Sequence, residues 1–296
     1  NIPVCIGEYT VGAFTLTAHK EKVYLDEEKL KSLQRFTNQI AVILQNSKLY
    51  EQVKAKSKQL EDELLLAERV QKSILPSAPP KFPELLIDFQ YTPMIGVGGD
   101  FFNIIEISQN EIGIFISDVS GHGIQAALIT TMLKTLLDNA GENLLKPRAL
   151  LDYLNIKLLD KTSGNFLTAF YAVFNKETNK LNYSSGGHNP TYVIRNDEIT
   201  EINTKGKILG FFEKGGYEEK EFLLQKDDRI LFYTDGLTEA IDHEGIEFEE
   251  NIFSLLLELK KQSMNTFIPS LYQALIAHVG KEEFEDDVCL IGMEIR

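Results

Sequence analysis

The feature that most constrains the fold of this 296-residue chain is a run of 50 residues, 26–75, without proline or glycine. At about 1.5 Å per residue, one continuous helix of this length would extend for about 75 Å. Pro76, Pro79, Pro80 and Pro83 follow directly, and proline ends a helix because it lacks the amide hydrogen and its ring clashes with the preceding turn. The sequence therefore predicts a long helix between a short N-terminal segment and a large C-terminal domain.

Mainly apolar and small side chains recur along this predicted helix at alternating steps of three and four. The positions are Ile40, Ile43, Ser47 and Tyr50, and then Val53, Ser57, Leu60, Leu64, Ala67, Gln71 and Ile74. Between Tyr50 and Val53 the pattern takes an additional step of three, which overwinds the seam of a coiled coil. The spacing predicts a parallel dimeric coiled coil, and the alternative is a single amphipathic helix that packs on its neighbour.

Charge and composition exclude several classes of partner. The net charge is −14 and no cluster of Lys and Arg is present, which argues against binding to nucleic acid and to anionic membrane surfaces. No stretch approaches the roughly 20 apolar residues of a membrane span, and the N-terminus has no basic, hydrophobic signal peptide. Cys5 and Cys289 form no disulfide or zinc pattern. We expect a cytoplasmic protein with no membrane segment in this chain.

Strand-like and helix-like segments alternate irregularly from residue 85 onward. The apolar runs 170–174 and 181–184 flank the turn sequence "NKETN", an arrangement typical of antiparallel strands. Helical patterns cover 125–139 and 266–279. Strands grouped between helices, without strict βαβ alternation, predict an α+β sandwich.

Acidic residues stand where the predicted core strands end or begin. They are Asp100 in "GVGGDFF", Asp118 in "FISDVSGHG", Asp235 in "ILFYTDGLTEA", and Asp286 and Asp287 in "EEFEDDVCLIGM". Each one alone has the alternative of an ordinary turn residue. Together, without adjacent Lys or Arg, they favour a site for hard cations, because a buried carboxylate is costly unless it is paired or bound to metal. Two such ions can activate a water toward phosphorus.

Six motifs in order carry a resemblance to a known family. "GGDFF", "ISDVSGHGIQAAL", "LTAFYAVF", "SSGGHNP", "LFYTDGLTEA" and "DDVCLI" resemble the bacterial metal-dependent (PPM, type 2C) serine/threonine protein phosphatases. Within them, the chain is most similar to the branch of stress-response and sporulation regulators. The resemblance covers about residues 66–296. It implies a four-layer α-β-β-α sandwich with two divalent cations, Mn²⁺ or Mg²⁺, in the cleft between the sheets.

The resemblance also implies a role for each acid. The metal ligands it implies are Asp100, Asp118, the main-chain carbonyl of Val119, Asp235 and Asp286. Asp118 would bridge both ions. Asp287 would accept hydrogen bonds behind the ligands.

Four positions bear on how far the family pattern applies. Asn103 stands where the family often has a further acid, and the resemblance implies that its neutral amide would hydrogen-bond behind the ligands without adding a charge. His122 follows the bridging acid by four residues instead of two, which leaves it as a proton donor or a loop residue. His188 in "GGHNP" is a family landmark for which a structural turn role is expected. The arginine that clamps phosphate in eukaryotic relatives has no match, so the metals would hold most of the phosphate.

The N-terminal segment beginning "GEYTVGAFTLTAH" resembles the last strand and closing helix of a GAF sensor domain. The predicted organisation is a GAF-like remnant at 1–25, a coiled-coil linker at 26–75 and a phosphatase domain at 76–296.

The function implied by the resemblance is a metal-dependent serine/threonine phosphoprotein phosphatase of bacterial signalling, in which a water shared by the two ions attacks phosphorus. The implied substrate is a phosphorylated anti-sigma-factor antagonist, and the linker predicts a homodimer. One alternative is a catalytically inactive binding module of the same fold, which the presence of all four acids disfavours. The other is a small-molecule phosphatase, which would differ in cleft shape.

Overall fold

A computed structural model describes residues 2–6, 9–15, 17, 26–121 and 123–296 of the chain. The chain divides into two compact units, Asn1–Glu63 and Leu64–Arg296. His122 lies outside the described residues, and the segment predicted as a GAF remnant is described only in part. The GAF assignment and the predicted boundaries at residues 25 and 75 stay predictions.

The first unit contains a hairpin and most of the long helix. Strands β1 (Ile2–Ile6) and β2 (Tyr9–Phe14) pair antiparallel, and the rings of Phe14 and Phe36 meet edge to face at 6.4 Å. Helix α1 (Glu27–Ile74) has 48 residues and confirms the predicted long helix. It begins where the Asp26 carboxylate accepts a hydrogen bond from the Lys29 amide at 2.8 Å, and it ends before Pro76. Of the helices in the described ranges, none combines the length and apolar character needed to cross a membrane.

Two antiparallel five-stranded sheets form the centre of the second unit. The strands are β3 (Leu85–Thr92), β4 (Phe101–Glu106), β5 (Glu111–Val119), β6 (Leu167–Asn175), β7 (Lys180–Gly186), β8 (Thr191–Arg195), β9 (Glu198–Ile202), β10 (Lys220–Leu223), β11 (Arg229–Tyr233) and β12 (Val288–Ile295). Sheet I has the order β10-β7-β6-β5-β4, and sheet II has the order β3-β12-β11-β8-β9.

Helices cover the outer face of each sheet. They are α2 (Ile124–Asp138), a 3₁₀ turn (Gly141–Leu145), α3 (Pro147–Leu158), α4 (Asp235–Thr238), α5 (Glu249–Leu259) and α6 (Met264–Val279). One core lies between sheet I and the helices α2 and α3, a second lies between sheet II and the helices α5 and α6, and a third fills the space between the sheets. These layers confirm the predicted α-β-β-α sandwich.

The alternation of side chains along the strands decides which polar residues face the space between the sheets. In β5, Ile114 and Ile116 belong to the core between the sheets. Because strand side chains alternate with a period of two, Asp118 continues the same face. Phe232 in β11 belongs to the same core and directs Thr234 there in the same way. Acids and hydroxyls from several strands therefore collect at one end of the central layer.

The last turns of α1 pack within the second unit. Ile74 packs against the core on the helix side of sheet I, and Gln71 is only 3% exposed. This part of the predicted seam therefore contacts the chain's own domain. The earlier seam positions with the most exposed side chains are Ile43 (66%), Tyr50 (69%), Val53 (67%) and Leu60 (53%).

Candidate metal centre

Asp118 lies at the end of β5, where the strand leaves the core for the Ser-Gly loop. Its residue partner across the ladder is Thr168 on β6. Burial raises the pKa of the Asp118 carboxyl to about 7, with further contributions from Asp235 and Asp286. A carboxyl that resists ionisation near neutral pH, beside other carboxyls, is a group that a divalent cation would stabilise in its charged form.

Asp100 is 1% exposed and follows two glycines. Burial raises its pKa well above the ordinary value, and the charge of Asp118 adds to the shift. The Thr234 hydroxyl donates a hydrogen bond of 2.6 Å to Asp100 Oδ2 and accepts one of 3.0 Å from the Cys289 amide. Thr234 therefore fixes the orientation of this carboxylate. Thr234 was not predicted from the sequence, although its place two residues after Phe232 directs it between the sheets.

Asp235 is the first residue of α4, directly after β11. Burial raises its pKa to about 6, and the next largest cause is the charge of Asp286. Asp286 is exposed, and its carboxylate accepts a hydrogen bond of 2.8 Å from the Asp287 amide. Glu239, which was not predicted as a site residue, also raises the pKa values of Asp118 and Asp235 through its charge.

Asp287 is 4% exposed and holds the loop that carries Asp100. It accepts hydrogen bonds from the amides of Met94 at 2.7 Å and Asp100 at 3.4 Å, and a short one from Gly99. Burial still raises its pKa, against the opposing effect of these amides. A Cβ at Gly98 would collide with the Asp287 carboxylate, so glycine is required for this close approach.

The main chain of Val119 lies against the same loop. The Val119 amide donates a hydrogen bond of 3.2 Å to the Gly99 carbonyl, and a Cβ at Gly99 would lie 2.5 Å from the Val119 carbonyl oxygen. Because glycine has no Cβ, the glycines of "GGD" let the backbone before Asp100 lie directly against the Val119 carbonyl. Asp100 and this carbonyl are thereby brought close together.

Gln71 connects the end of α1 to this loop. Its carboxamide donates to the Gly98 carbonyl at 2.7 Å and accepts from the Gly98 amide at 3.0 Å. It also donates to the Thr130 hydroxyl on α2 at 3.2 Å. The spacing along the helix predicted Gln71 as a seam residue, and the signal for another role was its polar side chain among mainly apolar seam positions.

His188 links the two sheets beside the acids. Its Nε2 lies 3.1 Å from the Tyr233 carbonyl oxygen and its Nδ1 lies 2.7 Å from the Thr168 hydroxyl. Because a carbonyl only accepts, Nε2 carries the hydrogen and Nδ1 accepts from Thr168. Burial lowers the pKa of His188 to about 4, so the ring is neutral. His188 thus joins the strand opposite Asp118 to the strand that precedes Asp235.

One predicted residue lies on the other face of its strand, and another falls outside the described residues. Asn103 shares the face of Phe101, which packs on the helix side of sheet I, whereas Phe102 and Asp100 face the space between the sheets. His122 lies outside the described residues.

The fit to a cation rests on charge. Among the described residues, no three His, Cys, Asp or Glu side chains form a ready ligand set. Burial and the neighbouring carboxylates raise the pKa values of Asp100, Asp118 and Asp235, and no described Lys or Arg is among the causes. Small shifts of side chains around a divalent cation would replace this repulsion by attraction.

Comparison with known proteins agrees with this fold. The phosphoserine phosphatase RsbU of Bacillus subtilis (strain 168) is 28% identical over 236 residues, which cover 79% of this chain and 70% of RsbU. The structure of the SiaA-PP2C domain of Pseudomonas aeruginosa superposes with a TM-score of 0.71 at 21% identity, covering 82% of this chain and 99% of that one. RsbX in complex with magnesium superposes with a TM-score of 0.57 at 18% identity, covering 74% and 98%.

The family described as stage II sporulation protein E (SpoIIE) matches residues 108–296. The match contains Asp118, Asp235 and Asp286, and Asp100 lies just before it. Because the match spans more than half of the chain, the chain belongs to the SpoIIE family.

Proposed function

We propose that this chain is a metal-dependent serine/threonine phosphoprotein phosphatase of bacterial signalling. The observation that carries the proposal is the convergence of Asp100, Asp118 and Asp235 at one end of the central layer. Burial raises the pKa of each, nearby carboxylates add to every shift, and no cationic partner is among the causes in the described residues. Membership of the SpoIIE family supports the same conclusion.

Two divalent cations, Mn²⁺ or Mg²⁺, are the proposed cofactors. The proposed ligands are Asp100, Asp118, Asp235 and Asp286 with the carbonyl of Val119. Hard cations prefer carboxylate and carbonyl oxygens, and magnesium in the RsbX structure supports this choice. When bound, such cations supply positive charge to the phosphoryl group and acidify the attacking water.

Side chains behind the proposed ligands would keep them in place. Thr234 orients Asp100, Asp287 fastens the preceding loop, and His188 joins the two sheets between them. Ligands held by such hydrogen bonds lose less entropy when the cation binds, and the site keeps its shape through turnover.

The proposed substrate is a phosphorylated anti-sigma-factor antagonist. The name of RsbU as a phosphoserine phosphatase supports the reaction class, and the sequence resemblance to stress-response and sporulation regulators supports the substrate class. We place the reaction in the cytoplasm, where such a regulator would act.

The experiment that tests the reaction is hydrolysis of p-nitrophenyl phosphate and of a phosphoserine protein with Mn²⁺, with Mg²⁺ and with chelator. We expect turnover with metal and loss of turnover with chelator. Asp235→Asn should abolish turnover, whereas the control Asp197→Asn should not, because the Asp197 side chain is 92% exposed and forms its ion pair with Lys260 on the surface. No turnover under any metal would favour the inactive module, and turnover of the small ester alone would favour a small-molecule phosphatase.

Control by the long helix is the second part of the proposal. The exposed seam residues Ile43, Tyr50 and Val53 support a parallel homodimer, because apolar side chains at coiled-coil spacing gain from burial against a second helix. The extra step between Tyr50 and Val53 would give two packings of similar energy, which a sensor could bias.

Changing the phase of the helix tests this control. Insertion of three or four residues near Lys54 should change the phosphatase rate several-fold, whereas insertion of seven residues should preserve it because the heptad phase returns. Sedimentation at micromolar concentration measures the dimer. A monomer, or equal rates for all insertions, would contradict the proposed control while leaving the phosphatase assignment intact.

A further inference from the structure

Two adjacent phenylalanines lie on the surface of the connection between β9 and β10. Phe211 is 55% exposed and Phe212 is 38% exposed, and their rings meet edge to face at 5.0 Å. Aromatic side chains bury large apolar areas when they have partners. Two such rings side by side in solvent therefore mark a surface that would gain from being covered.

The turn that carries these rings is fixed by hydrogen bonds to the carboxamide of one buried side chain. Asn155 on α3 is 2% exposed, and its Oδ1 accepts a hydrogen bond of 2.9 Å from the Gly210 amide. Its Nδ2 donates one of 2.9 Å to the Phe212 carbonyl. Gly210 has a φ of +79°, a conformation that favours glycine. Residues 210–212, the aromatic turn, are thus held in one shape.

The aromatic turn continues the rim of the candidate metal centre. Leu209 and Leu167 exchange backbone hydrogen bonds of 2.8 and 3.1 Å, which sets Gly210 across from Phe166, itself 37% exposed. The Phe166 amide donates to the Ser120 hydroxyl at 2.9 Å, and the Ser120 amide donates to the Phe166 carbonyl at 2.9 Å. Ser120 follows Asp118 by two residues. Phe166, the first of the exposed aromatic residues, is therefore hydrogen-bonded to the loop that directly follows this acid.

The charge around the aromatic turn differs from that of the whole chain. The segment 204–216, "TKGKILGFFEKGG", has three lysines and one glutamate in a chain of net charge −14. The ammonium group of Lys207 lies 4.6 Å from the centre of the Phe212 ring. A basic, aromatic rim beside an acidic centre attracts an anionic group toward the site without competing with the cations inside it.

We propose that Phe211, Phe212 and Phe166 form a docking surface for the phosphoprotein substrate, and that they contact apolar side chains next to its phosphoserine. The inference rests on the proposed phosphatase function. A phosphoserine side chain is short, so a protein that delivers its phosphate to the acids must lie on the rim. Rigid aromatic side chains at the centre of a contact supply much of its binding energy. A small phosphoester would not reach them.

Two phosphoserine peptides of equal length and charge test the surface. One carries leucine two residues before and after the phosphoserine, and the other carries serine at those places. With Mn²⁺, the full chain should show a kcat/KM about tenfold higher for the leucine peptide, the gain expected when two apolar side chains are partly buried. The variant Phe211→Ser/Phe212→Ser should reduce this ratio to near one and leave p-nitrophenyl phosphate hydrolysis unchanged.

The controls separate docking from folding and from catalysis. Leu223→Ser removes an equally exposed side chain (57%) from β10 at the opposite end of sheet I, and it should keep the wild-type ratio. Unchanged hydrolysis of the small ester shows that a variant is folded. A leucine preference that survives in the double variant would overturn the docking surface, whereas failure of the wild type on every ester would count against the phosphatase function itself.

A lipid membrane is the alternative binding partner for a turn with aromatic and basic side chains. Sedimentation with vesicles of phosphatidylcholine and phosphatidylglycerol should show no binding that depends on the two phenylalanines. Binding that the double variant loses, together with an unchanged peptide ratio, would overturn the proposal in favour of a lipid surface.

Discussion

The two ends of strand β11 carry buried charge in opposite ways. At its beginning, Arg229 donates a hydrogen bond of 2.6 Å to Glu294. The neighbouring Asp228 side chain is 2% exposed and accepts hydrogen bonds of 2.9 and 2.6 Å from the Arg195 guanidinium. At the other end of the strand, the acids around Asp235 receive hydrogen bonds only from hydroxyls and amides in the described residues.

The difference separates a structural end from a functional end. A buried acid with an arginine partner keeps its charge at a modest cost, whereas buried acids that face each other destabilise the fold. Such a cluster is retained where a ligand supplies the missing positive charge. The end of β11 with the arginine-paired acids, which we call the paired end, therefore stabilises the sandwich. The acids around Asp235, which we call the acid cluster, form a site that cations can occupy.

The largest expected effect is on catalysis at the acid cluster. Asp118→Asn should lower kcat by about a thousandfold or more, because the proposed bridging carboxylate would serve both cations. Turnover of p-nitrophenyl phosphate in Mn²⁺ measures the effect, and circular dichroism checks the fold. Near-normal rates in this variant would remove the acid cluster from the mechanism and break the contrast between the two ends.

The next effect is on stability at the paired end. Asp228→Ala should lower the free energy of unfolding by about 2–4 kcal/mol, because the Arg195 guanidinium and the Gln225 amide lose the carboxylate that accepts their hydrogen bonds. Its kcat at a temperature where the variant is folded should match the wild type. Urea unfolding gives the free energy, and a loss of kcat without a loss of stability would reverse the assignment of the two ends.

His188 gives a pH-dependent test of the link between the sheets. Its pKa in the folded chain is about 4, below the ordinary value of 6.5, so the unfolded chain binds a proton between these values that the folded chain does not. Stability from this group is present above pH 6.5 and is lost as the pH falls toward 4, by about 2–3 kcal/mol. His188→Gln, which can still donate and accept, should lack this loss.

Urea unfolding at pH 7 and pH 4.5 gives the change in the free energy of unfolding with pH for the wild type and for His188→Gln. The two changes are then subtracted. The subtraction removes the contribution of the carboxyls, which both chains share. Parallel dependence on pH in the two chains would show that His188 is not a buried neutral link.

The smallest effect concerns the metal-free stability of the acid cluster. The pKa of Asp118 is raised to about 7, so the carboxyl loses folding stability as the pH rises through 7. Asp118→Asn removes this loss, and in chelator at pH 8 the variant should be more stable than the wild type by about 1–2 kcal/mol. The two should differ little at pH 4, and Mn²⁺ should reverse their order at pH 8.

Thermal or urea unfolding with chelator and with Mn²⁺ checks this prediction. Asp197→Asn is the matched control at an exposed site and should not reproduce the gain. If Asp118→Asn destabilised the metal-free chain as Asp228→Ala does, both ends of β11 would be structural and the comparison would fail.

Local sequence signals predicted the long helix and most of the core strands. The absence of proline and glycine predicted α1, and apolar runs predicted β5, β11 and β12 with acids at their ends. The edge strands β9 and β10 were not predicted, because most of their residues are exposed and a strand with little burial has a weak apolar pattern. The sequence also indicated Asp118 and Asp235 as candidate ligands, because a carboxylate directly after a core strand is locally recognisable.

The tertiary structure alone decided how the candidate site is held together. Thr234 and Asp100 are 134 residues apart in the chain, and Asp287 and Gly99 are 188 residues apart. Gln71 fitted a helix seam in the sequence, yet its amide holds the Gly98 loop. Spacing along a chain reports helix faces and strand ends because these are local, whereas a hydrogen bond between distant segments exists only once the sheets and helices have packed.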